Sequence, residues 1–111
     1  MPQATERPTQ PTTHLSVAPA AIEDFYRLEE FLLDRDDPLA GGLVAFVMQA
    51  LAVLKTQPGI GRPVGAGFRE LIISRGHTGY LARYQFQPAV NLVTVLRIRH
   101  QRESGYTEEE V

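Results

Sequence analysis

Apolar side chains recur at Ile22, Phe25, Leu28 and Leu32, three or four residues apart, with acids between them. That spacing lays them along one stripe of a helix, about 16 residues long. Pro19 stands at its first position, where a missing N–H costs nothing. Asp36-Asp37-Pro38 stops this helix and starts another, with Asp37 as N-cap and Pro38 as the first helical residue. Gly41-Gly42 weaken that first turn by ~1 kcal/mol each relative to alanine. The second helix is predicted to run to Gln57, where Pro58-Gly59 ends it. Two helices so closely linked form an antiparallel hairpin. From Phe68 onward the period changes from 3.6 to 2, and 68–74, 80–86 and 92–99 read as strands. The connections 76–79 and 87–91 are of hairpin length, and 14–18 is a further short strand. The order β-α-α-β-β-β, with hairpin-linked and therefore antiparallel strands, defines an α+β fold.

Alternation puts Arg69, Leu71, Ile73 and Arg75 on one face of the first long strand, and Arg83 between Leu81 and Gln85 on the second. On the third, Val93, Val95, Arg97 and Arg99 share a side opposite Leu92, Thr94, Leu96, Ile98 and His100. One sheet face is apolar enough to carry the helices; the other mixes aliphatics with arginines. A one-sided antiparallel sheet shows polar residues to water, which accounts for most such arginines. Phosphate binding, acid–base work and docking of an acidic partner are the functional alternatives. His100 lies beside Arg99 and Arg102, so like charge should lower its pKa, as suits a general base. His14 and His77 have no clustered ligands, so neither a metal site nor a cofactor is expected.

The run Gly59-Ile60-Gly61-Arg62-Pro63-Val64-Gly65 has the glycines of a phosphate loop. It follows a helix and lacks the Gly-Lys-Ser/Thr ending, so it reads as a helix stop and a bend into the sheet. The second helix is apolar nearly all round from Leu43 to Leu54, with Gln49 the exception. Either the first helix covers it or a partner does.

Composition and charge narrow the classes. The chain of 111 residues has no cysteine, which excludes disulfides and thiol chemistry. Residues 1–13 hold three prolines and little that is apolar, so they read as a disordered extension. Residues 107–111 read as a flexible acidic tail, leaving 14–106 as a single domain. No basic-then-apolar leader and no membrane-length apolar run are visible, so a soluble cytoplasmic protein with no membrane partner is expected. Residues 19–38 carry seven acids against two bases, and 55–102 carry eight bases against Glu70 alone, net −5 and +7. A pI near 5.9 argues against bulk affinity for nucleic acid, while the basic half suits an anionic partner.

Four stretches taken in order resemble a known family. They are Pro58-Gly59-Ile60-Gly61-Arg62-Pro63-Val64, Arg69-Glu70-Leu71, Gly79-Tyr80 with Arg83-Tyr84, and Leu96-Arg97 with His100 and Arg102. On this frame they resemble the RelE/ParE superfamily, toxins of bacterial type II toxin–antitoxin (plasmid stabilisation, addiction module) systems. The resemblance implies a helical hairpin packed on one face of a twisted antiparallel sheet. It also implies a cognate antitoxin partner, held in a hetero-oligomer, that covers the second helix and meets the basic sheet face. Leu43, Phe46, Val47, Met48 and Leu51, with Arg69, Arg99 and Arg102, are the residues assigned to that contact. The ParE-like branch inhibits DNA gyrase; the RelE-like branch cleaves mRNA in the ribosome. In the second case Arg83 and Arg97 would clamp phosphate, and His100 or Tyr84 would move protons. The single lysine, the net negative charge and the Leu-Arg-Ile-Arg-His-Gln-Arg-Glu ending favour the ParE branch. A non-toxic antitoxin-binding module is the remaining alternative.

Overall fold

A computed structural model describes residues 12–103. The elements are β1 (His14–Val17), α1 (Pro19–Asp34), α2 (Leu43–Leu51), β2 (Arg62–Gly65), β3 (Phe68–Arg75), β4 (Thr78–Gln87) and β5 (Leu92–His100). The strands form one sheet in the order β1-β5-β4-β3-β2, and both helices supply its core. The α+β class, the helical layer and the antiparallel β3-β4-β5 meander are as expected from sequence. β1, however, pairs parallel to β5, so the sheet is mixed. Thr12 and Thr13 belong to the folded body rather than to the extension. The Thr13 N–H donates to the Lys55 carbonyl at 2.8 Å, and the Asn91 side chain donates to the Thr12 carbonyl at 3.2 Å. The rest of the extension, residues 104–106 and the acidic tail lie outside the described residues.

The core is the sum of three stripes. α1 gives Ala21, Phe25, Leu28 and Leu32; α2 gives Leu43, Val47 and Leu51; the sheet gives Ile73, Tyr80, Ala82, Tyr84, Val93, Val95 and Ile98. Burying each large aliphatic of α2 contributes about 1.5–3 kcal/mol. Ile22, assigned by spacing to the core stripe of α1, is instead 43% exposed.

Three local departures have physical causes. α2 begins at Leu43, not Pro38. Asp37 does cap the chain, accepting the Leu39 N–H at 2.8 Å, but Gly41 at φ +87° breaks the helical path. α2 also ends at Leu51, and the remaining turn, Ala52–Lys55, is 3-10. The segment expected to be a bend contains β2, whose Pro63 is tolerated because β2 is the sheet's edge. Finally, β5 carries an irregularity opposite the Arg83–Tyr84 step: Arg83 pairs with Arg97 but Tyr84 with Val95. The extra residue shifts the alternation, so Ile98 and His100 join Val93 and Val95 on the helix side.

Candidate functional site

Each arginine of the basic half has a defined position, and these positions separate the expected site residues. Arg97 is 2% exposed. Its Nε and Nη2 donate to the Asp24 carboxylate of α1 at 2.9 and 3.1 Å. Asp24 also accepts the Ile98 N–H at 2.8 Å and an Arg27 guanidinium N–H at 3.1 Å. Arg97 is thus a structural cation between sheet and helix, not a phosphate clamp at a surface. The facing carboxylate, itself held by further hydrogen bonds, offsets the cost of burying this charge.

Tyr84 is likewise committed. Its hydroxyl donates to the Pro58 carbonyl and accepts the Gly61 N–H, both at 2.8 Å. Burial raises its pKa, which opposes a role in moving protons near neutrality. Arg69 holds the same loop, donating to the Gly61 carbonyl at 2.7 Å. A Cβ on Gly61 would lie 2.6 Å from the Tyr84 hydroxyl and 2.9 Å from the Glu70 carbonyl, so the glycine is required by close approach. The glycine-bearing loop is therefore a pinned corner leading into β2. Arg62 at the start of β2 pairs with the buried Glu70 at 2.9 Å.

Arg83 is half-buried, opposite Glu70 on β3 and Arg97 on β5. His100 pairs with Tyr80, three residues before Arg83 on β4, so Arg83 and His100 project to opposite sides of the sheet. The bulge does not bring them together. His100 sits at one wall of an open cleft of about 880 Å³. Leu28 and Phe31 of α1, Thr78 of the β3–β4 hairpin, and Arg102 and Glu103 line the same cleft. The imidazole Nε2 is 2.9 Å from the Thr78 hydroxyl, and its Nδ1 accepts the Arg102 N–H at 3.1 Å. Its pKa is lowered, first by burial; Glu103 opposes that shift, while Arg102 and Arg75 add to it. Desolvation thus leads; of the like charges expected from sequence only Arg102 contributes, and less than the opposing pull of Glu103.

The residues expected to meet a partner divide by burial. Leu43, Val47 and Leu51 are at most 1% exposed and belong to the core, so they cannot form a surface. Phe46 and Met48 are half-buried against that core, Phe46 edge-on to Tyr80 with ring centres 6.5 Å apart. Arg99 donates to the Glu103 carbonyl at 2.5 Å, and Arg102 is exposed. The exposed apolar surface lies elsewhere: Ile22, Tyr26 and Leu33 of α1 are 43%, 73% and 57% exposed, and Val44 of α2 is 48% exposed. Spacings of four and seven residues put the first three on one stripe, a second helical period in α1 beside the core stripe. The sequence carries that period too, but Ile22 also fits the spacing of the core stripe, which hides it.

Among the described residues no group of three His, Cys, Asp or Glu side chains could hold a metal ion. No described helix is long and apolar enough to cross a membrane.

Comparison with known proteins agrees with this architecture. The profile of the family described as "ParE toxin of type II toxin-antitoxin system, parDE" matches residues 15–105. Toxin RelE1 of Caulobacter vibrioides is 37% identical over 76% of this chain and 88% of its own length. Toxin RelE3 of the same organism is 29% identical over 80% of this chain and 95% of its own. Among solved structures, the chromosomal ParDE system from P. aeruginosa contains a similar chain, with a TM-score of 0.69 at 20% identity. That likeness covers 82% of this chain and 98% of the other, and it concerns the fold. With its helical pair on a mixed five-stranded sheet and a family match across nearly all described residues, the chain belongs to the ParE toxins of type II toxin–antitoxin systems, within the RelE/ParE superfamily.

Proposed function

We propose that this toxin is neutralised by a cognate antitoxin and, when released, poisons DNA gyrase in the manner of ParE. The observation that supports gyrase over mRNA cleavage is the dispersal of the nuclease candidates. Cleavage by 2′-hydroxyl attack needs a base, an acid and phosphate clamps converging on one bond. Here Arg97 is bound to Asp24, the Tyr84 hydroxyl to Pro58 and Gly61, and Arg83 and His100 face opposite sides of the sheet. A surface inhibitor of a large enzyme needs no such convergence.

Two features support the antitoxin. The Ile22, Tyr26 and Leu33 stripe, with Val44, is exposed apolar surface of the kind partners cover. The similar chain from P. aeruginosa comes from a chromosomal ParDE toxin–antitoxin system. In this reading the antitoxin packs on α1 and the outer side of α2, with Phe46, Met48, Arg69, Arg99 and Arg102 at the margins. The pair forms a hetero-oligomer in the cytoplasm, where gyrase works.

Inducing the chain alone should arrest growth, and co-expressing the neighbouring small gene should rescue it. Purified toxin should block a gyrase supercoiling reaction. Tyr26→Asp should leave the fold intact and abolish rescue. Site-specific mRNA cuts in a translation extract, lost on His100→Ala or Arg83→Ala, would instead establish the RelE-like reading. Tight antitoxin binding with neither effect would mark a non-toxic module.

A further inference from the structure

The turn that follows β5 is fastened by a set of bonds, most of which meet at His100 and Glu103. The Glu103 N–H donates to the His100 carbonyl at 3.0 Å, and the Glu103 carboxylate accepts the His100 N–H at 2.9 Å. The other carboxylate oxygen accepts an Arg27 guanidinium N–H from α1. Arg99 holds the Glu103 carbonyl, and the Gln101 N–H reaches the Gly79 carbonyl at 3.0 Å. The remaining backbone donor of the turn, the Arg102 N–H, is capped by the His100 ring at Nδ1.

That last bond fixes a proton. An Nδ1 that accepts from a backbone N–H carries no hydrogen, so the neutral ring holds its proton on Nε2 and donates it to the Thr78 hydroxyl. Charging the ring places a second donor against the Arg102 N–H, and the cap is lost. We propose that His100 is a proton-operated latch: the neutral ring keeps the 101–103 turn closed against α1, and protonation releases the turn and so widens the cleft that Arg102 and Glu103 wall.

The groups facing the ring bear on where the latch acts. Glu103 favours the charged ring. Arg102 on the same turn and Arg75 on β3 disfavour it, and Tyr80 packs edge-on at 5.3 Å. From α1, the Arg27 guanidinium is already held by Asp24 and Glu103, while Glu30, Asp34 and Arg35 stand across the cleft beside His77 of the hairpin. Burial outweighs the pull of Glu103, so the latch is closed at neutral pH and opens on acidification below the ordinary histidine value of 6.5. The latch is independent of whether gyrase or the ribosome is the target.

The test is amide hydrogen exchange of Arg102 and Glu103 in the full chain, followed from pH 8 to 5 alongside the His100 ring proton shifts. After correction for the intrinsic pH dependence of exchange, protection of both amides should fall about tenfold or more, with a midpoint at the His100 titration. Core amides of Tyr84 and Val95 should stay protected. His100→Asn, whose side-chain oxygen replaces Nδ1 as an acceptor without titrating, should keep the turn protected throughout. His100→Gln, which keeps the reach to Thr78 and loses the cap, should show the open turn at every pH. Protection that does not follow the wild-type His100 titration overturns the latch, and this needs no variant to fold. A transition in His100→Asn identical to wild type would assign the change to Glu103 and also overturn it.

Discussion

Asp24 accepts four hydrogen bonds while 2% exposed, three of them from guanidinium groups. Removing the cation that faces it should therefore cost far more than removing a surface arginine. Arg97→Ala is expected to lose about 3–5 kcal/mol in urea unfolding, because a buried carboxylate is left undercompensated. Exposed Arg102→Ala should stay within about 0.5 kcal/mol. Tyr84→Phe leaves the Gly61 N–H without its acceptor and the Pro58 carbonyl without its donor, an expected loss of about 1–3 kcal/mol. Gly61→Ala should be destabilised by a similar amount for the opposite reason, overpacking against the same hydroxyl. The sequence showed arginines at strand spacing and could not rank them. What singles out Arg97 is an acid 73 residues earlier in the chain, and what commits Tyr84 is a corner 26 residues away. Neither distance leaves a local pattern.

At the scale of elements, periodicity served well where one face is buried and poorly where it is not. α1 and the three meander strands alternate against a core, and their existence could be read directly. β2 contains Pro63 and Gly65 and buries almost nothing, so it has no period to find. The β5 bulge was hidden for another reason: a one-residue slip leaves the composition unchanged while exchanging the faces of every later residue. The α1–α2 connection was legible as a stop but not as a clasp. Arg75 at the end of β3 grips the Asp37 carboxylate with both terminal nitrogens, at 2.5 and 3.2 Å. This hydrogen bonding first, then the Leu39 N–H, lowers the Asp37 pKa below 3.8. A depressed carboxylate pKa contributes stability that is present above 3.8 and lost as pH falls through the folded-state value. Wild type should therefore lose more of its thermal midpoint than Asp37→Asn when acidified below that point. Parallel curves for the two proteins would show that the clasp adds nothing.

For the whole molecule, the decisive pairing joins the beginning of the described chain to its end. β1 lies along β5, with Leu15 opposite Val93 and Val17 opposite Val95, and the Ala18 N–H reaches the Val95 carbonyl at 2.8 Å. A chain lacking residues up to Val17 should expose the β5 edge and run as soluble aggregate on size exclusion, because an unpaired hydrophobic edge templates further pairing. Restoring the strand as a separate peptide should recover monomer if the missing edge is the cause.

The same closure has a consequence for synthesis. β5 lies between β1 and β4, and it brings Val93, Val95 and Ile98 to the core after every other described element has been made. A nascent chain interrupted before Leu92 has its first strand without a neighbour and its helices without a complete floor. Products that stop short of β5 should therefore be cleaved by proteases faster than the folded domain, and an interval separates the start of synthesis from closure of the fold. An antitoxin already at hand has that whole interval in which to be waiting.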